Sequence, residues 1–446
     1  MNVDLLIIHA AQLLTIPTHD GGPQRGRRLG DLGLVEDGAL AIAGERIVAA
    51  GSTGDLATRF QAGRVIDATG RVVMPGFVDP HTHAVWAGER AAEFEKRIAG
   101  ATYLEIMSAG GGIMSTVRAT RAASVDQLVA ETQPRLDRML ACGTTTVEVK
   151  TGYGLETAAE LRLLEAIERL DRAHPIDIVP TFLGAHAIPA EYTGREDAYT
   201  DLVVTEMLPA VCEWRTADSR WRTPGAGAIS HQPSAIGHPL YCDVFCEAGA
   251  FTPAQSRKIL ERAAQLGLGL KIHSDEFEPL GGTQLGVELG AASADHLVVT
   301  PPREIEALGR SSTVAVSLPG TPFGLGQTAF TPARAILDAG GVLALATDCN
   351  PGTTWCESMQ MVIAIACRYL KLTPAQALVT ATLNAAHAIG LGERIGSLAA
   401  DRQADAIVLD VPDYRHVGYR YGANLVETVI KRGRVVADRQ QTGEST

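Results

Sequence analysis

The stretch Val72-Val-Met-Pro-Gly-Phe-Val-Asp-Pro-His-Thr-His83 carries an apolar run straight into two histidines one residue apart. Its prolines keep a helix from forming across it, so it reads as a strand. In an extended chain residues i and i+2 share a face; His81 and His83 therefore point one way and Thr82 the other. Two neutral imidazoles so placed can hold one metal ion. Two ligands are not a site, and the reading depends on what later strands bring to the same rim.

Downstream, short β-type runs alternate with helical stretches. The runs are residues 76–81, 144–149, 176–182, 242–246, 268–272, 293–297, 313–318 and 342–346. Eight strands alternating with helices predict an α/β chain, a distorted (β/α)8 TIM barrel. Helix starts are marked at Thr252-Pro-Ala-Gln255 and Thr373-Pro-Ala-Gln376, where Thr caps, Pro fits the first turn and Gln closes a capping box. Apolar spacing continues through Ile259, Leu260, Ala263 and Leu266 in one, and through Leu378, Ala381, Ala385 and Ile389 in the other. Residues 124–140, 155–170 and 359–372 read as further helices. Beyond the carboxyl ends of the strands stand His81, His83, Lys150, His186, Glu247, His273, Glu276, His296 and Asp348. Polar groups recurring at one end of successive strands place the chemistry of a barrel at that rim.

The two ends of the chain have a different texture. Residues 3–16 and 34–74 hold short β-type runs punctuated by Gly, which read as hairpins, and residues 404–409 and 426–436 hold more. The expectation is a small discontinuous β-sandwich from 1–74 and 397–446 beside a catalytic barrel of 75–396. Residues 18–33, rich in Gly, Arg and Asp, read as a mobile loop. Length supports two units: a barrel takes about 250 residues, and the chain has 446. A net charge of −12 argues against nucleic acid and anionic membranes as partners. Seven scattered cysteines, no basic or cleavable leader and no apolar run of about 18 residues suggest a cytoplasmic protein.

Four residues converge as candidate metal ligands: His81 and His83 on the first barrel strand, His273 on the fifth and Asp348 after the eighth. Imidazole with carboxylate suits zinc or iron(II), and such an ion acidifies water enough to support hydrolysis near neutral pH. A lone rim histidine is more often merely hydrogen-bonded; a His-x-His pair with further ligands at matching rims reverses that balance. Glu276, three residues past His273, is placed to move a proton between water and a leaving nitrogen, against the plain alternative of a solvated loop carboxylate. Lys150 raises the idea of a modified lysine bridging two metals. That lysine is expected on the fourth strand, where this chain has Cys246-Glu247, so Lys150 reads as an ion-pair or packing residue.

The motifs Asp79-Pro-His-Thr-His83, Ala87-Gly-Glu-Arg90, Gly143-Thr-Thr-Thr-Val-Glu-Val-Lys-Thr-Gly-Tyr-Gly154, Thr181-Phe-Leu-Gly-Ala-His186, Lys271-Ile-His-Ser-Asp-Glu276, Ser293-Ala-Asp-His-Leu297 and Thr347-Asp-Cys-Asn-Pro-Gly352 together resemble the amidohydrolase superfamily. Within it the chain is similar to the imidazolonepropionase family over nearly its whole length. The resemblance implies a barrel with a β-sandwich, a homodimer, and one divalent metal per subunit, zinc or iron, on His81, His83, His273 and Asp348. It implies Glu276 as catalytic acid and base, with His296 or His186 helping to stabilise the oxyanion. Arg90, Tyr153, His186, Asn350, Gly352 and Thr353 match the family's substrate contacts. The small-molecule substrate implied is 4-imidazolone-5-propanoate, whose carboxylate an Arg fork and a Tyr hydroxyl suit. Residues 213–240, with Trp214, Trp221, Pro224, Gly225, His231 and His238, read as a lengthened loop. Two alternatives stay open: a deaminase or cyclic-amide hydrolase acting on another heterocycle, and a non-catalytic barrel.

Overall fold

The computed structural model describes residues 1–18, 20–101, 111–217, 221–222 and 238–439. The first five strands are β1 (Asn2–Leu14), β2 (Leu34–Ala43), β3 (Arg46–Ser52), β4 (Gln61–Asp67) and β5 (Val72–Pro75). The barrel strands are β6 (Phe77–Asp79), β7 (Thr144–Lys150), β8 (Asp177–Ala185), β11 (Tyr241–Cys246), β12 (Gly269–Ser274), β13 (Ser293–His296), β14 (Val314–Ser317) and β15 (Val342–Leu345). Between them β9 (Trp221–Arg222) and β10 (His238–Pro239) make a short parallel pair. The chain returns to the first sheet as β16 (Ala406–Leu409), β17 (Val426–Lys431) and β18 (Arg434–Asp438).

All eight barrel strands are parallel, each beside the next in sequence. The seam between β15 and β6 closes just past the strands: the Asp348 N–H donates to His81 O (3.1 Å) and the His83 N–H to Cys349 O (3.0 Å). The helices between strands start as their sequences dictate. Pro253–Gln265 and Pro374–Thr380 both carry complete capping boxes. The second is shorter than its apolar spacing suggests. It stops at Ala381–Thr382, where Ala381 O accepts the Val78 N–H (3.0 Å), and a new helix runs from Leu383 to Ala388. The break ties the last helices to the strand that delivers His81.

The strands of the two chain ends form one mixed sheet, β18-β17-β16-β5-β1-β2-β3, with β4 beside β1. It curls on itself, because Leu5, Ile7, Leu13, Leu40, Ile42 and Ile47 share a buried cluster with Val73, Ala406, Val408 and Ile430. The sandwich is thus continuous through β1. The expected hairpin of residues 64–74 does not form: β4 and β5 each pair in parallel with β1, the first with residues 2–8 and the second with 12–13. A bulge near His9, at φ +57°, divides the two pairings along one long strand.

The sheet meets the barrel through Asp177, which opens β8. Lys431 Nζ lies 2.8 Å from Asp177 Oδ2 and 2.6 Å from Asp405 Oδ2, all of it buried. This junction is at the amino end of the barrel, opposite the rim that carries the histidines. Residues 18–33 also depart from expectation. Gln24 exchanges backbone hydrogen bonds with the side chain of Asn384 (both 2.9 Å), and Leu29 and Leu32 are buried. A polar composition hid a segment docked on the barrel. The 213–240 stretch lies largely outside the described residues; within them a helix runs to Ala217 and His238 is buried.

Candidate active site

Strand alternation and the closing seam bring the candidate ligands to one point. His81 Nε2 and His83 Nε2 each lie 3.6 Å from Asp348 Oδ1, and His273 Nε2 lies 3.4 Å from His83 Nε2. Atoms held 2.0–2.1 Å from a tetrahedral ion stand about 3.3 Å from one another, so these three separations are close to those of ligands that share one ion. His81 Nε2 is buried with no hydrogen-bond partner among the described residues. Its other nitrogen explains why. The Nδ1–H donates to Asp295 Oδ2 at 2.6 Å, which leaves the Nε2 lone pair facing the cluster. His273 faces a carboxylate of its own, its Nδ1 2.9 Å from Asp243 Oδ2 at ion-pair distance. Asp348 turns its second oxygen to the Thr321 hydroxyl (2.5 Å) and sits at φ +53°, a backbone position that an Asp side chain tolerates better than most. The donor set and its spacing fit a divalent metal.

His296 belongs to the same cluster, its ligating atoms within 4.8 Å of those of His81 and Asp348. It ends β13 at φ +80°, and its Nδ1 lies 3.6 Å from Glu276 Oε2. Glu276 is buried on a loop that its neighbours fix. The Glu247 carboxylate accepts the Phe277 and Glu278 N–H groups (3.0 and 3.1 Å), and Asp275 accepts the Thr283 and Thr300 hydroxyls (2.6 and 2.9 Å). Burial, then the negative charge of Asp348, holds the Glu276 carboxyl well above the usual range. A carboxyl so placed takes and holds a proton readily.

His186 follows β8 and stacks on His83 with ring centroids 4.8 Å apart. Its Nδ1 lies 3.1 Å from Gly152 O, and since a carbonyl only accepts, that nitrogen carries the proton. Burial, then His273, pushes its pKa down to about 3, so the ring is neutral and Nε2 is an acceptor. Tyr153 is buried 5.9 Å from His83 and 5.4 Å from His186, ring to ring. Arg90 lies on the loop after β6, and its charge acts on Tyr153. Its Nε donates to Glu93 Oε2 (2.8 Å), while Glu93 accepts the Gly112 N–H. Its Nη1 packs on Gly352, where a Cβ would come within 2.4 Å.

The loop after β15 is organised by Asn350. Its Oδ1 accepts the Gly352 and Thr353 N–H groups (both 2.8 Å), and its Nδ2 donates to Asp348 O (2.7 Å) and Thr353 Oγ1 (2.9 Å). The amide is thus fully engaged with its own loop, shaping the rim between Asp348 and Arg90.

Below the histidines lies a buried ionic layer that sequence reading reached only in part. Lys150 Nζ is 2.8 Å from both Glu148 Oε1 and Asp243 Oδ2 and 3.7 Å from Asp295 Oδ2. Burial alone would lower the Lys150 pKa; Asp243, Glu148 and Asp295 together raise it instead, and the side chain is an ammonium. Glu148 also faces Lys271 (3.2 Å) and bonds the Thr181 hydroxyl. Lys150 is an ion-pair residue, as its strand position suggested. Asp243 was missed. The available signal was a lone carboxylate within the apolar Tyr241-Cys-Asp-Val-Phe-Cys246, since a buried acid needs a partner.

Comparison with known proteins agrees with this architecture. Amidohydrolase family models match residues 246–436 and 64–105. The chain is 57% identical over 439 residues to an imidazolonepropionase of Herpetosiphon aurantiacus, covering 98% of each chain. The chain belongs to the imidazolonepropionase family. A relative of that name from Chloroflexus aggregans is 52% identical, with 98% of this chain and 99% of the relative covered. Among solved structures, a zinc-bound adenosine deaminase from Xanthomonas campestris matches with a TM-score of 0.66 at 20% identity, covering 97% of this chain and 93% of that one. That likeness concerns the fold. Membership of the family makes this chain a hydrolase of cyclic-amide C–N bonds, and none of its described helices is long and apolar enough to cross a membrane.

Proposed function

We propose that the cluster at the barrel rim hydrolyses the ring C–N bond of 4-imidazolone-5-propanoate, giving N-formimidoyl-L-glutamate in histidine degradation. The observation that carries this reading is the convergence of four ligand heads beside Glu276, in a chain whose full-length relatives bear the imidazolonepropionase name. His81, His83, His273 and Asp348 would hold a divalent ion, zinc or iron, which would supply Lewis acidity toward the carbonyl and lower the pKa of water. The protein's own groups do the rest.

Arg90 grips the propanoate carboxylate through the guanidinium edge that faces away from Glu93, with the Tyr153 hydroxyl in support. Glu276 takes a proton from the attacking water and passes it to the departing ring nitrogen. His296 lies beside Glu276 and donates to the oxygen on which charge develops. His186 serves differently. A neutral ring whose Nδ1–H is spent on Gly152 offers only a lone pair, so it accepts a ring N–H of the substrate and orients it. Asn350 keeps Gly352 and Thr353 against Arg90 and the substrate tail. The same reading divides the chain into a sandwich of 1–74 and 397–446 and a barrel of 75–396, working as a cytoplasmic homodimer on a small molecule, with no nucleic-acid or membrane partner.

The test is a metal analysis of the purified protein beside a spectrophotometric assay of imidazolone-propanoate loss. Turnover that disappears with a chelator and returns with zinc or iron supports the proposal. Metal-loaded protein that leaves the substrate untouched overturns it.

A further inference from the structure

Lys150 ends β7, where its N–H donates to Thr82 O (2.9 Å) between the two histidines, and its side chain is completely buried. Alternation along β7 puts Glu148 and Lys150 on one side of the strand, facing into the barrel. Across the interior stand Asp243 on β11 and Asp295 on β13. Asp295 is hydrogen-bonded to His81 Nδ1 (2.6 Å), and Asp243 lies 2.9 Å from His273 Nδ1. The Lys150 ammonium lies between them, at 2.8 and 3.7 Å. Lys271, the other buried cation of the layer, donates to Pro80 O (2.9 Å) and pairs with Glu148. Lys271 also acts on Asp295 through its charge, but Lys150 is the lysine whose ammonium lies within 4 Å of both carboxylates, behind two candidate ligands that come from different strands.

We infer that Lys150 is a positioning residue for the metal site, a shared cation that holds Asp243 and Asp295 in the geometry by which they aim His273 and His81. Without it the two acids face each other's charge in a dry interior and shift apart, taking both imidazoles off their common point. The inference rests on the metal reading above. It assigns the lysine to the ligand set as a whole, not to the ordinary packing of β7.

The test is zinc affinity, measured by competition with a chromogenic chelator, with folding followed by circular dichroism. Lys150→Met is expected to weaken zinc binding about 10- to 100-fold, the usual cost of losing a partner behind the ligands. Because that variant leaves an extra uncompensated acid, Lys150→Met with Glu148→Gln is measured beside it; it removes one charge of each sign and should fold with the same weakened affinity. Glu148→Gln alone, which leaves Lys150 on both aspartates, should bind zinc within about threefold of the parent. Parental affinity in both Lys150 variants overturns the assignment, and so does failure of both to fold, which would make the lysine a determinant of the barrel. A parent chain that binds no zinc or iron overturns the metal reading itself, a result these variants cannot imitate.

Discussion

Arg90 packs against the bare Cα of Gly352, so close that a methyl group there would stand 2.4 Å from its Nη1. The loop after the last barrel strand thus sets where the guanidinium of the first loop rests. Gly352→Ala is expected to push Arg90 off its seat and raise KM about tenfold with kcat changed far less, since the carboxylate grip serves substrate and transition state alike. Steady-state kinetics decide it; an unchanged KM would show that the carboxylate is gripped elsewhere.

Among the described residues no cation pairs with Glu276; burial, then the negative charges of Asp348 and Glu247, favour its protonated form. Glu276→Gln keeps the shape but cannot carry a proton, so kcat should fall by about 10²- to 10⁴-fold with the metal retained. Metal content and turnover on the same sample check this, and full activity would remove Glu276 from the reaction.

Asp295 determines which nitrogen of His81 is free. Asp295→Asn exchanges a charge-assisted hydrogen bond for a neutral one, and metal affinity should drop about 10- to 100-fold while the fold persists. A chelator titration reads the drop; parental affinity would mean that His81 is oriented by packing alone.

His387 packs against Gly392 with its Nε2 unpartnered among the described residues, and burial, then Arg402, pushes its pKa down to about 4. The unfolded chain binds a proton near the ordinary value of about 6.5, so stability is lost as pH falls from there toward 4. His387→Gln should remove about 1–2 kcal/mol of the loss between pH 7 and pH 5. Urea midpoints at the two pH values measure it. Equal pH dependence in the two proteins would contradict the assignment.

Much of this was legible in the residues. Each barrel run has a strand where alternation with capped helices placed it, and the four ligand candidates meet because parallel strands carry their carboxyl ends to one rim. What stayed hidden were pairings between distant positions. Nothing local tells that β4 and β5 both lie along β1, since a parallel pairing leaves no turn signature. Asp243 looked like one more strand residue until His273 and Lys150 arrived from β12 and β7. Gln24 and Asn384 satisfy each other across the chain, so a loop rich in Gly and Arg turned out to be docked.

The seam of the barrel gives the site a place in time. Asp348 and His81 are joined backbone to backbone, and Thr347 donates to Asp79 from 268 positions away. A ribosome must therefore translate nearly to the end of the barrel before the ligand set exists. Until then His81 and His83 wait on an unclosed strand edge. An ion held there would be captured late in the life of each chain, and would act as a clasp between the first and the last barrel strand.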